Sequence, residues 1–249
     1  MSAAFILWLR QLKRYSRSRT RMIGALGQPI LFLLALGFGL GPTFARAGSG
    51  NYVQFLAPGV IAMGILSMAV FSGIETIFDR QFGFLKETLV APVSRLAIVF
   101  GRTLGGATVA LIQGGIVFLI CLAAGFRPEE PLLLMPLALL FMALVALMCT
   151  AVGTAIGSVL QDMQGFQVIA NFLVLPLFFF SGALFPLPAL PGPVWLAVRL
   201  NPLSYGVDGL RGALGGGFVF GAETDLAVLG GLSAILLGVA AYLFSKIEV

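Results

Sequence analysis

Histidine is absent from the 249 residues, which removes the commonest acid–base group and the commonest metal ligand. Charge is scarce: Asp, Glu, Lys and Arg make up 10% of the chain, against about 25% in ordinary soluble domains. Cysteine occurs only at Cys121 and Cys149, in different apolar stretches. The topology below puts them at different depths, so packing rather than a disulfide is their expected role. There is no G-x-x-x-x-G-K-[ST], and indeed no Gly-Lys pair, so the chain has no P-loop. HExxH, CxxC and G-x-S-x-G are missing too. These absences argue against a metal site, a bound cofactor or a catalytic residue, and no cluster of polar groups at one depth suggests a membrane-embedded enzyme.

What is present is apolar. Hydrophobic residues make up 59% and the mean hydropathy is +1.04, the composition of a multi-pass membrane protein. The net charge of +5 is clustered, so it reports orientation in a bilayer rather than nucleic-acid binding. Residues 1–21 have the pattern of a basic amphipathic helix, with Phe5, Trp8, Leu9 and Leu12 on one face and Arg10, Arg14, Arg17 and Arg21 on the other. Such a helix lies in the membrane interface, apolar face down and arginines towards anionic head groups. Uncharged runs then suggest spans at Met22–Pro42, Val53–Ile74, Leu96–Phe126, Pro131–Gln161, Met163 to about Leu184, and Leu226–Ser245. Ala45-Arg46-Ala47 resembles a signal-peptidase site, but the preceding run exceeds a signal core of about 7–15 residues, and it is kept as a span. The proline-rich stretch after Leu184 predicts broken helical pieces at the membrane surface, which protein or water must cover because lipid cannot satisfy their amides.

Six spans put both termini on one side. That side carries eleven Lys and Arg: six in the N-terminal segment, four between Glu75 and Arg102, and Lys246. The other carries four: Arg46, Arg127, Arg199 and Arg211. The positive-inside rule makes the richer side cytoplasmic. Asp162 fits an interfacial turn better than a proton carrier. Gln113 and Asn171 either line a path or, more commonly for such groups, hydrogen-bond to a neighbouring helix. No ionisable group is expected in the middle of a span, which argues against an ion-coupled carrier. No repeat of the two halves is visible, which weakens an inverted-repeat transporter. Among the glycine spacings that allow close helix approach, Gly37-x-x-x-Gly41 in the first span is the preferred dimer face, ahead of those beginning at Gly101 and Gly153.

The stretch Glu75–Arg102 is a charged island, holding seven of the 25 charged residues. Ile74, Phe78, Phe82, Leu85 and Leu89 follow helical spacing along one side, while Asp79, Arg80, Lys86 and Glu87 fall elsewhere. Pro92 ends that helix and Ser94 caps the next. An interfacial loop is one reading of this island. The other is a docking surface for a soluble partner, favoured because the chain shows no energy source of its own.

Three blocks give the order of features a family likeness: Phe55-Leu-Ala-Pro-Gly59; Lys86-Glu-Thr-Leu-Val-Ala-Pro-Val-Ser-Arg95 with Gly101-Arg102; and Pro176 through Ser181-Gly182 to Phe185-Pro186, followed by Leu200-Asn-Pro-Leu-Ser-Tyr205 and Arg211. Together they resemble the membrane subunit of type-2 ATP-binding cassette (ABC) exporters, the drug-resistance and polysaccharide-export permeases, over nearly the whole chain. The resemblance implies an all-α fold of six transmembrane helices in one transmembrane domain over 1–249. Within it lie the interfacial helix 1–21, a cytoplasmic coupling region 75–95 and an outer re-entrant region 185–222. It implies a homodimer, or failing that a heterodimer with a related permease, in the plasma (inner) membrane. A separate P-loop ATPase subunit would use ATP and Mg²⁺, leaving this chain non-catalytic. Phe78, Phe82, Leu85, Lys86, Glu87, Pro92 and Arg95 would couple to that ATPase. Ser181, Gly182, Pro186, Asn201, Pro202 and Arg211 would shape the outer gate. One departure is Phe82–Leu85, where many members carry a more acidic stretch. The alternative from another class is a self-contained secondary transporter or channel.

The charge split generates a labelling test. Ser2→Cys and Thr88→Cys should be shielded from an impermeant thiol reagent in intact cells, while Ser49→Cys should label. Labelling of position 88 from outside overturns this orientation.

Overall fold

Helix is the only regular structure among the described residues of the computed structural model, which are 3–46, 51–84, 94–129, 131–187 and 191–247. In chain order the helices are α1 (Ala3–Arg17), α2 (Arg19–Phe32), α3 (Gly41–Arg46), α4 (Tyr52–Phe71), α5 (Ile74–Gln81) and α6 (Arg95–Ala123). They continue with α7 (Pro131–Val159), α8 (Met163–Phe179), α9 (Gly192–Leu200), α10 (Pro202–Ala213) and α11 (Ala222–Ser245). A π-helical turn over Leu33–Phe38 extends α2. Polar side chains fix several starts, as expected of the four orphan amides of a helix N-terminus. Asn51 accepts from the Val53 amide, Ser94 from Ala97, Asp162 from Gly165 and Asn201 from Leu203.

Five helical stretches are long and apolar enough to cross a membrane: Arg19–Thr43, Tyr52–Gln81, Arg95–Ala123, Leu134–Val159 and Ala222–Ser245. The sixth crossing expected from sequence falls short of that standard. Helix α8 has 17 residues, roughly 25 Å of rise against a hydrocarbon core of about 30 Å. It ends early because the Ser181 hydroxyl donates to the Phe178 carbonyl and Gly182 turns the chain with a φ of +73°. The chain then forms the two short helices α9 and α10, joined at Asn201-Pro202.

Helix α4 is the axis. Leu56, Val60, Ile61, Ile65, Leu66 and Val70 are all wholly buried, and the helix is enclosed by α6, α7, α10 and α2. A helix apolar all round belongs in such a position. In a bilayer this burial contributes little by hydrophobicity, because lipid is as apolar as leucine, so close packing has to hold the bundle. Glycine provides it. A Cβ on Gly73 would lie 2.0 Å from the Gly153 carbonyl oxygen, and one on Gly153 would lie 2.3 Å from that of Val70.

The same packing bears on two expectations. Gly37 faces Val53 of its own chain, 3.3 Å from where a Cβ would stand, while a Cβ on Gly41 would meet nothing within 4 Å. Both glycines line one open recess together with Phe38, Pro42 and Tyr52. The Gly101 and Gly153 spacings are also consumed inside the chain, against Ala4 and Val70. Second, α1 does not pack with the stripe expected of it. It runs beside the first half of α6 in the same direction, with Ala4 against Gly101 and Gln11 against Gly105. Its buried stripe is Leu7, Gln11 and Tyr15, and Phe5 of the expected stripe is exposed.

Overpacking a tight core costs about 1–3 kcal/mol. Gly153→Val should therefore lower the melting temperature and the folded fraction of purified protein, while Gly41→Val should leave both unchanged. Equal behaviour of the two variants would contradict the α4–α7 contact.

Candidate functional site

Helix α5 hangs below α4 and carries acids at positions 75 and 79, one turn apart and therefore on one face. Both are buried, with side-chain exposures of 6% and 7%. Arg10 of α1 reaches both oxygens of Asp79, at 2.6 and 2.7 Å, and Arg102 of α6 donates to Oδ2 at 2.7 Å. Arg21 of α2 holds Glu75 Oε1 at 2.6 Å, and Arg14 lies 3.9 Å from Oε2. Arg10 also lies 3.9 Å from the centre of the Phe84 ring. Two carboxylates on one turn thus gather arginines from three other elements. The sequence reading left Asp79 off the packed side of its helix and turned the arginines to lipid head groups. The structure pairs them with each other.

Further bonds tie the remaining parts together. Arg80 donates to the carbonyls of Ser158 and Leu160, at 2.8 and 3.3 Å, and so caps the C-terminus of α7, where a cation suits the helix dipole. Trp8 Nε1 donates to the Thr108 hydroxyl and the Tyr15 hydroxyl to Gln113 Oε1, at 3.1 and 2.6 Å. Burial raises the Tyr15 phenol above its ordinary value, with Arg21 pulling the other way. Gln113 is therefore the partner of a neighbouring helix, one of the two roles left open for it.

The residues assigned to coupling are placed as follows. Phe78 stacks on Phe82 with ring centres 6.0 Å apart, and Phe82 is 77% exposed. The helix stops there: Phe82 is its C-cap and Gly83 takes a φ of +77°. The amphipathic helix expected to run on through Leu89 is therefore broken at Gly83, because a left-handed residue cannot continue the turn. Its buried side is Glu75, Thr76, Ile77 and Asp79 rather than the phenylalanine stripe. Leu85, Lys86, Glu87 and Pro92 lie outside the described residues. Arg95 is exposed and bonds the Ser245 carbonyl at the end of α11.

At the other end of the bundle, several of the assigned gate residues meet. Ser181 is wholly buried; Asn201 Nδ2 donates to the Leu177 carbonyl at 2.7 Å, and Ser204 to that of Phe180 at 3.1 Å. Arg211 Nη2 donates to the Gly182 carbonyl at 2.9 Å, with its guanidinium 4.2 Å from the centre of the Phe55 ring. Burial pushes the Arg211 guanidinium down to about 10, against the opposing pull of Asp208, so it stays charged at neutral pH. Pro202 opens α10, whereas Pro186 is exposed. An apolar cleft of about 590 Å³ opens between α8 and α9, lined by Phe179, Phe180, Phe185 and Val198 among others.

Among the described residues no three His, Cys, Asp or Glu side chains gather to hold a metal ion. The geometry has a charged cluster at one end and a hydrogen-bonded cap at the other. A sequence model of ABC-2 type transporters matches residues 2–214, a stretch that includes both. The chain belongs to the ABC-2 type transporter family. It is 31% identical over 192 residues to Nodulation protein J of Rhizobium leguminosarum bv. trifolii, covering 76% of this chain and 72% of that protein. It is 35% identical over 207 residues to the putative transport permease ycf38 of Porphyra purpurea, covering 80% and 69%. Against the ycf38 permease of Cyanophora paradoxa the identity is 29% over 211 residues, covering 83% and 72%.

Membership makes this ABC-2 protein a multi-pass transport permease, and it shifts attention to residues that sequence reasoning passed over. Glu75, Asp79 and Arg102 are buried, as are Asp208 and Asp225; all lie near the ends of the membrane-length helices or outside them, not in their middles. A signal for the first group was present: acids four apart in α5 match the four-residue steps of Arg10, Arg14 and, further on, Arg17 and Arg21. Nothing comparable marked Asp208 and Asp225.

Removing one partner of a buried pair costs about 3–5 kcal/mol. Asp79→Ala should therefore destabilise the purified ABC-2 protein by that order in a melting experiment. Adding Arg102→Met should recover part of the loss, because the uncompensated charge leaves as well. Additive losses would contradict the pairing.

Proposed function

We propose that this chain is the membrane-spanning permease subunit of an ATP-driven exporter, coupled to a separate P-loop ATPase that uses ATP and Mg²⁺. The observation carrying this is the construction of α5. It is a short helix clamped by Arg10, Arg21 and Arg102 to three other helices and by Arg80 to the end of a fourth. Its tip presents Phe82, stacked on Phe78, outside the bundle. A push on that tip moves α1, α2, α6 and α7 together, since buried ion pairs resist being separated. Leu85, Lys86, Glu87, Pro92 and Arg95 continue the docking segment in this reading.

The permease works as a dimer, with the pathway between two copies. The central helix of one copy has most of its side chains buried, which favours a pathway between copies over one along that helix. Six crossings, α8 counted as a short fifth, put both termini and α5 on the cytoplasmic side of the plasma (inner) membrane. Helices α9 and α10 then re-enter at the outer surface. Ser181, Gly182, Asn201 and Arg211 hold that outer cap closed, with Pro186 and Pro202 at its bends. ATP-driven closure of the partner subunits, passed through α5, opens it. Phe-lined surfaces such as the cleft beside α8 suit an amphipathic cargo.

Phe82→Asp puts a charge into an apolar contact, and Glu87→Lys reverses a charge expected at its edge. Both should reduce export and the amount of ATPase that co-purifies at matched permease levels, Phe82→Asp more severely. If α5 only touches lipid, export persists in both and Glu87→Lys is silent. Normal export with a normal amount of partner in both variants refutes the coupling assignment.

A further inference from the structure

Two carboxylates are buried together where α10 meets the first turn of α11. Asp208 is wholly buried, and its oxygens accept the backbone amides of Val219 and Phe220, each at 2.8 Å. Asp225 is also wholly buried and lies within hydrogen-bonding reach of Asp208. Yet neither oxygen of Asp225 meets a donor among the described residues. A desolvated carboxylate with no donor is among the most costly groups a folded chain can hold, and a second carboxylate beside it raises that cost.

Among the described residues no cation bonds to Asp225. On α10, Arg211 lies near Asp208, but its guanidinium donates to Gly182 and packs on Phe55. Glu223, on the same turn of α11, is exposed. Glu129 packs against Gly215, and Arg127 donates to the carbonyls of Leu122 and Phe126. Helix α7, packed along α11, contains no charged residue. The cations of α6 lie at the far end of α11, Arg95 on Ser245 and Arg102 near Phe244.

We propose that Asp208 and Asp225 form a proton-binding site, in which one proton shared between the two carboxyl groups latches the first turn of α11 onto α10. The O–H of one carboxyl donates to the oxygen of the other, a charge-assisted bond of the strong class. The single negative charge left on the pair is met by the Val219 and Phe220 amides and by Arg211 nearby. Loss of the proton sets two negative charges side by side and drives the two helices apart. Since α10 is tied to the end of α8 through Asn201 and Arg211, release of the latch loosens the whole cap. The site rests on the fold alone and is independent of the ATPase reading.

The folded pair keeps a proton that the separated carboxylates release near about pH 4. The latch therefore contributes fully below that range, and its contribution falls as pH rises to the point where the pair ionises. Melting of the full chain in lipid nanodiscs, from about pH 5 to about pH 9, reads this out. The wild type should lose melting temperature relative to Asp225→Asn as pH rises, because the asparagine amide donates to Asp208 at every pH. Infrared difference spectra give a second measure: the carbonyl band of a protonated carboxylic acid at neutral pH, present in wild type and absent in Asp225→Asn. Should Asp225→Asn not fold, Asp208→Asn makes the same comparison. Parallel melting profiles together with no protonated-acid band overturn the proposal. So does recovery of wild type alone at alkaline pH by calcium or sodium ions, which assigns the site to a metal ion instead.

Discussion

Asp79 is the point on which the α5 end of this protein depends. One carboxylate is shared by an arginine from the N-terminal helix and another from the start of α6. Glu75 repeats the arrangement one turn away with Arg21. An ionised group removed from water is stable only while its partners stay in place, so each pair demands a definite position of several helices at once. The apolar surfaces around them hold no charge that must find a partner. The ion pairs set the register of α1, α2 and α6 on α5, and glycine contacts such as Gly73 on Gly153 set the distance.

The two ends of the bundle use different chemistry for related purposes. The α5 end is charged, and its parts are held by long-range ion pairs. The opposite cap is held mainly by side-chain donors to carbonyls at the end of α8: Asn201 on Leu177, Ser204 on Phe180 and Arg211 on Gly182. Those carbonyls are free because α8 stops at Gly182, and in a bilayer each must find a donor within the protein. Early termination of α8 and the polar residues of the Asn201–Arg211 segment are thus two parts of one solution.

Much of this was legible in the chain. The apolar runs, the cap at Ser94, the turn at Asp162 and the break after α8 follow from local spacing and composition, while three sequence blocks carried the resemblance to a transporter family. The errors share a cause. Helical periodicity tells which residues lie on a common face, but an almost uniformly apolar sequence does not tell which faces meet. The acids of α5 were therefore not seen as its buried side, although Glu75 and Asp79 are inside. Leu7, Gln11 and Tyr15 were overlooked as a stripe because a glutamine sits in its middle.

The sequence by itself determined that the chain lives in a membrane, roughly where it crosses, where its helices start and stop, and which transporters it resembles. These depend on neighbours within a few residues and on the solvent each segment requires. Only the tertiary structure decided which charges are buried and with whom, since Asp79 meets Arg10 across 69 positions and Asp208 meets Asp225 only once α10 and α11 are folded together. A charge in a hydropathy profile counts as water-loving wherever it stands. Whether it is instead buried against a partner depends on contacts that local sequence does not encode.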